Sequence, residues 1–190
     1  MAIDPRPEAA FALAEILINQ GANSNEVKPL LTQASRSQAG GSAKSTYLST
    51  VADLRDKNLN GPQVNFMPQL SAIVPRLRGL WRSRERIRKE VDTVDLGLLY
   101  ADAMFRHLRE LELTPQRAQA KRALQILIAD RNAGLAPGEL PSQQVQNERE
   151  REARLADRRL GQELAVEYES TQRDLEALMA EFVDLSLIHI

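Results

Sequence analysis

Apolar residues recur along most of this chain at intervals of three and four, the spacing of one face of an α-helix. Asp4 can cap a first helix with Pro5 and Pro7 in its opening turn, and Phe11, Leu13, Ala14, Leu17 and Ile18 then make a broad apolar face that Gly21 ends. Asn23, Ser24 and Asn25 read as a turn. A short second helix carries Leu30, Leu31 and Ala34, and Pro29 suits its start better than its interior. Gly40-Gly41-Ser42 breaks the chain again, and Ser42 can cap a third helix whose buried stripe is Tyr47 or Leu48, Val51 and Leu54. Three short helices with a glycine-containing turn outline a helix-turn-helix unit over residues 1–57.

A linker at residues 56–62 leads into the most regular stretch of the sequence. Leu70, Ile73, Leu77, Leu80, Arg84, Ile87, Val91, Val94, Leu98, Ala101, Phe105 and Leu108 alternate spacings of three and four, the seam of a coiled coil or a long antiparallel pair. This predicts one continuous helix over residues 76–108 with that seam buried, against the last helix or a second chain. Thr114-Pro115 repeats a cap-then-proline start, opening a helix to about Asn132 that Gly134 closes. Residues 135–142 read as a loop. A final helix runs from Gln143 past Phe182 with the stripe Ala153, Ala156, Leu160, Leu164, Tyr168, Thr171, Leu175, Leu178 and Phe182. The predicted fold is all-α: a small three-helix domain, then a long helical, coiled-coil-like body over residues 64–184.

Composition supports helices and changes the end of the picture. The 190 residues are 43% hydrophobic, 27% charged and only 4% aromatic, with no cysteine, a mixture that favours helix and excludes a disulfide scaffold or a thiol nucleophile. That fits a reducing compartment, and with no signal-like start and no apolar run of spanning length the chain reads as a cytoplasmic protein outside the membrane. Its last six residues, Leu185-Ser186-Leu187-Ile188-His189-Ile190, resemble a translated transposase-end adapter, so residues 185–190 read as a non-native tail.

Candidate chemistry is sparse. His107 stands without a Glu-x-x-His partner and the aspartates at 92, 95 and 102 share no face with another ligand type, so no metal site, cofactor or catalytic group is predicted. Gly40 to Thr46 looks like a phosphate loop, but Ala43 stands where a glycine must precede the lysine, and no strand leads into it. The basic stretch of residues 76–89 is more informative. Helical spacing sets Arg78, Arg82, Arg86 and Lys89 on one outward stripe, able to neutralise successive phosphates or to pair with acidic stretches of the last helix.

Ala9 to Gly21, Asn25 to Leu31, Gly40 to Leu54 and the leucines and lone tryptophan of residues 68–81 resemble the KfrA family of plasmid proteins, which join an N-terminal helix-turn-helix domain to a long α-helical tail. The likeness covers mainly residues 8–57. Pro29 and the stretch 32–39 depart from the pattern, and acidic and basic side chains balance over residues 1–57. The resemblance implies double-stranded operator DNA as partner, transcriptional autoregulation, a role in plasmid maintenance and a homo-oligomer formed through the body. It makes the third helix the reader, with Ser42, Lys44, Ser45, Thr46, Ser49 and Thr50 on its exposed side for phosphate and base-edge contacts. The competing expectation is an assembly protein of a phage or conjugation system whose helices serve oligomerisation alone.

Overall fold

The computed structural model describes residues 7–36, 43–56, 66–136 and 140–188, with side chains in the last stretch as far as Phe182. Among these every regular element is a helix: α1 (Pro7–Asn19), α2 (Ser24–Arg36), α3 (Ala43–Arg55), α4 (Met67–Arg82), the single turn α5 (Arg84–Ile87), α6 (Thr93–Asn132) and α7 (Gln143–Ile188). The fold is all-α, a set of short helices followed by long ones. The chain divides into two compact units, Met1–His107 with Ala177–Ile190 and Leu108–Glu176, so the division falls within α6 and not at the 56–62 linker.

In the first unit α1 ends where Gly21 takes a φ of 79°, letting the Gly21 and Ala22 amides donate to the carbonyls of Ile18 and Leu17. Asn23 then caps α2: its Oδ1 accepts from the Glu26 backbone amide at 3.1 Å while its side-chain Nδ2 donates to the Glu26 carboxylate, and the helix starts at Ser24. Pro29 therefore lies inside α2 and not at its start. It is exposed, so water can satisfy the carbonyl that loses its donor. Each of the three helices packs on the other two around Phe11, Ala14, Ile18, Val27, Leu31, Leu48 and Val51. Leu13, expected on that face, is 46% exposed, and Ala10 takes the inward position.

α4 buries Leu70, Ile73, Val74, Leu77, Leu80 and Trp81, and stops at Ser83, whose amide turns back to the Leu80 carbonyl at 3.0 Å. The chain is helical for only one further turn before residues 88–92 leave the helix. Asp92 then caps α6, its Oδ1 accepting from the amides of Val94 and Asp95 at 2.8 and 3.0 Å. The predicted continuous helix over 76–108 is thus two helices and a turn. The restart rotates the buried face: Leu96, Tyr100, Ala103, Met104 and His107 go inside, while Val94, Leu98 and Phe105 of the predicted seam are 56, 59 and 56% exposed.

The end of α7 docks against this unit through Leu178, Glu181 and Phe182. Phe182 stacks at 5.9 Å from the Trp81 ring, Trp81 Nε1 donates to Glu181 at 3.1 Å, and Arg84 pairs with the same carboxylate at 3.0 Å. Gly97 admits the pair, because a Cβ there would overlap the Phe182 ring and press on Trp81.

In the second unit α6 runs through Pro115 without a break, so Thr114-Pro115 is not a start; the Thr114 hydroxyl donates to the Glu110 carbonyl one turn back. Gly134, at φ 81°, closes α6 as Gly21 closes α1. Glu112 meets Tyr168, Arg122 meets Asp157 at 2.8 Å and Asp130 meets Arg149 at 2.7 Å. Rising numbers on one helix meet falling numbers on the other, so this part of α6 and α7 is an antiparallel pair. The Arg122 guanidinium, hydrogen-bonded to Asp157, holds that carboxyl below its usual range.

Paired substitutions check this packing. Gly79 has nothing within 4 Å of an added Cβ, so Gly79→Ala should raise stability by up to about 1 kcal/mol, the helix-propensity gain. Gly97→Ala should forfeit that gain to an overlap of about 1–3 kcal/mol and alter the near-ultraviolet dichroism of Trp81. Leu96→Ala should cost about 2–5 kcal/mol in a urea melt, whereas Leu13→Ala should cost under about 1 kcal/mol.

Candidate nucleic-acid interface

Among the described residues, the start of α3 is where the side chains expected to read DNA meet the basic stretch. Lys44 lies in its first turn. Its ammonium pairs with Glu15 of α1 at 2.8 Å and sits 5.7 Å from the centre of the Phe11 ring, while its amide donates to the Glu90 carboxylate at 3.4 Å. Lys89 lines the same shallow groove of about 250 Å³, together with Glu8, Phe11, Glu15, Lys44 and Glu90. Lysines far apart in sequence thus share one surface, although three carboxylates are interleaved with them.

The remaining hydroxyls of α3 divide by position. Thr46 is exposed and Ser49 half-buried. Ser45 donates to the Leu31 carbonyl at 3.3 Å and, with Ser49, Lys28, Thr32 and Ser35, borders a groove of about 300 Å³ between α2 and α3. Thr50 corrects the expectation of an exposed side chain: it is fully buried, its hydroxyl donating to the Thr46 carbonyl at 2.8 Å. It belongs to the run Thr50, Val51, Ala52, Asp53 and Leu54 that is buried on all sides, whereas Thr46, one turn earlier on the same face, is exposed. Ser42 lies outside the described residues. Tyr47 is half-buried beside these positions, and its burial, reinforced by Asp95, raises its phenol above the usual value.

The basic stretch is no single stripe, because the helix carrying it breaks at Ser83 and again at residue 88. Arg78, on α4, is half-buried with its Nε 3.4 Å from the Tyr100 hydroxyl. Arg82 at the end of α4, Arg86 on α5, and Arg88 and Lys89 in the turn are exposed, with no ion pair to the described residues. Two others are taken: Arg84 stacks 4.5 Å over Trp81 and pairs with Glu181, and Arg76 approaches Asp53. The sequence therefore located the cations, and among the described residues the pairing with an acidic residue of the last helix occurs at Arg84.

Sequence reasoning missed the group that fixes α3 in place. Asp53, on the inner side of α3, accepts from the Ser24 hydroxyl at 2.5 Å, pairs with Lys28 at 2.8 Å and lies 3.7 Å from Arg76, so one carboxylate joins α2, α3 and α4. Asp56 accepts the Ser24 amide at 3.2 Å. No spacing rule reveals Asp53, since its partners are 29, 25 and 23 residues away. Among the described residues no group of three or more His, Asp or Glu could hold a metal ion, and no helix is long and apolar enough to cross a membrane.

No protein-family model, curated protein or solved structure matches the chain.

Asp53→Ala should lower stability by about 2 kcal/mol in urea unfolding, below the roughly 3–5 kcal/mol of a fully buried pair because Lys28 and Arg76 stay about half exposed. Lys28→Ala, which removes only a hydrated partner, should cost under about 1 kcal/mol.

Proposed function

We propose that the chain is a DNA-binding regulator with a three-helix reading head and an oligomerising helical body. The observation that carries the reading is the meeting of the α3 N-terminal turn with Lys89, in a stretch that also carries the exposed Arg82, Arg86 and Arg88, whose charges are not matched by any ion pair to the described residues. A duplex requires both exposed cations and short polar side chains on an accessible helix: the cations answer phosphates, and side chains such as Thr46 and Ser49 reach base edges. Lys44 contributes once DNA displaces Glu15 from it. The plasmid setting, autoregulation and maintenance role rest on the resemblance to the KfrA family alone.

The exposed apolar residues of the long helices favour a second reading, an assembly protein with no DNA-reading role. Leu124, Leu127 and Ile128 leave more than half of their surface uncovered, and such faces mark interaction surfaces. The two readings part on sequence preference.

The test is salt-titrated binding of the full chain to the gene's own upstream DNA and to a scrambled duplex. Arg82→Ala with Arg86→Ala should weaken both alike and reduce the salt slope by about 0.9 for each phosphate left without its cation. Thr46→Ala with Ser49→Ala should weaken only the upstream DNA. Equal affinity for both duplexes in the wild type, or none for either at low salt, overturns the regulator and leaves the assembly protein.

A further inference from the structure

α6 is one uninterrupted helix from Thr93 to Asn132, so the faces along it follow from helix geometry. Val94, Leu98, Ala101 and Phe105 succeed one another at steps of four, three and four, which puts them on one stripe turned away from Leu96, Tyr100 and Met104. The stripe is exposed at its three large residues, and the buried side of the helix is already satisfied. A ridge at sevenfold spacing borders it: Asp95, Asp102 and Arg109. Asp102 is neutralised within the helix by Arg106 at 2.9 Å, whereas Asp95 and Arg109 are exposed and have no ion pair to the described residues.

We propose that this stripe is a homodimer interface in which the α6 helices of two copies pack antiparallel about a two-fold axis close to Ala101. The charge pattern selects both the occupant and the direction. An isologous contact requires one surface to complement itself, residue for residue. Reversing α6 against itself about Ala101 brings Phe105 of one copy onto Leu98 of the other and sets Asp95 opposite Arg109 twice over. A parallel pair would instead gather both acidic ends at one end and both basic ends at the other. Small Ala101 at the centre lets the helices approach, and the two Asp102 side chains near the axis each bring their own arginine. The proposal rests on the oligomerising body and adds its face, stoichiometry and direction.

The chain contains no cysteine, so single introduced thiols report on neighbours cleanly. Sedimentation equilibrium of the full chain should show a monomer–dimer transition, and Leu98→Asp should shift it to monomer with its helical dichroism kept, since that side chain is already solvent-facing. A short bifunctional thiol reagent should link a mixture of Asp95→Cys and Arg109→Cys, one carrying a mass tag, into mixed dimers, and should link neither variant to itself. A wild-type chain that stays monomeric overturns both the interface and the oligomerising body. A dimer that survives Leu98→Asp, or that links Asp95→Cys to itself, overturns this interface and leaves the oligomer. Neither outcome bears on DNA affinity, which is measured separately.

Discussion

The Asp53 carboxylate is the point through which the short helices of the first unit are held in register, because three of them share it. It accepts from Ser24 at the start of α2, faces Lys28 one turn further on, projects from α3 and is approached by Arg76 from α4. Apolar packing of Phe11, Val27, Leu31 and Val51 brings α1, α2 and α3 together but is non-directional. A carboxylate that must be answered from three sides fixes how those helices meet. The extent of the candidate reading face follows: Thr50 and Asp53 lie one turn beyond Thr46 and Ser49 on the same side of α3 and are buried, so that side is open only at the start of the helix.

Local capping rules account for most of the fold that is legible in the sequence. Gly21 and Gly134 end their helices in the left-handed conformation that glycine adopts at low cost, and the last helix starts where its residues predict. Each departure has a physical reason. The three-four periodicity of residues 70–108 runs straight through residues 88–92 on paper, but the chain there is not helical. The phase beyond the turn is therefore different, and Leu96 replaces Val94 in the core. The signal for that break is present: Asp92 with Asp95 three residues later is a helix-start pattern, and it outweighs the continuity of the seam. Proline is a weaker signal than the caps. Pro29 and Pro115 both sit inside helices, and at Pro29 the residue whose carbonyl loses its donor, Asn25, is exposed, so water can take the place of the missing amide.

Of the candidate site, the sequence supplies the cations but not their partners. Arg82, Arg86 and Lys89 stand exposed as expected, while Arg76, Arg84 and Lys44 are committed to Asp53, Glu181 and Glu15. Such pairings depend on long-range packing, which places Glu181 beside Arg84 although the two are distant in sequence. The exposed seam residues have the same origin. Their regular spacing is legible, but whether it is buried within one copy or offered to a second depends on the turn that rotates α6.

The antiparallel pair of α6 and α7 differs in kind from the rest. Across its length the cross-helix partners are Arg122 with Asp157, Asp130 with Arg149 and Glu112 with Tyr168, and its buried apolar residues are confined to the end near Leu111 and Leu175. Ion pairs at such an exposed seam weaken as added salt shortens the reach of each charge, while hydrophobic burial does not. Backbone amides along the hairpin should therefore exchange with solvent at rates that rise with ionic strength. Those of α4 and the start of α6, sealed by Leu70, Leu77, Leu96 and Met104, should stay protected, giving one chain two thresholds of opening.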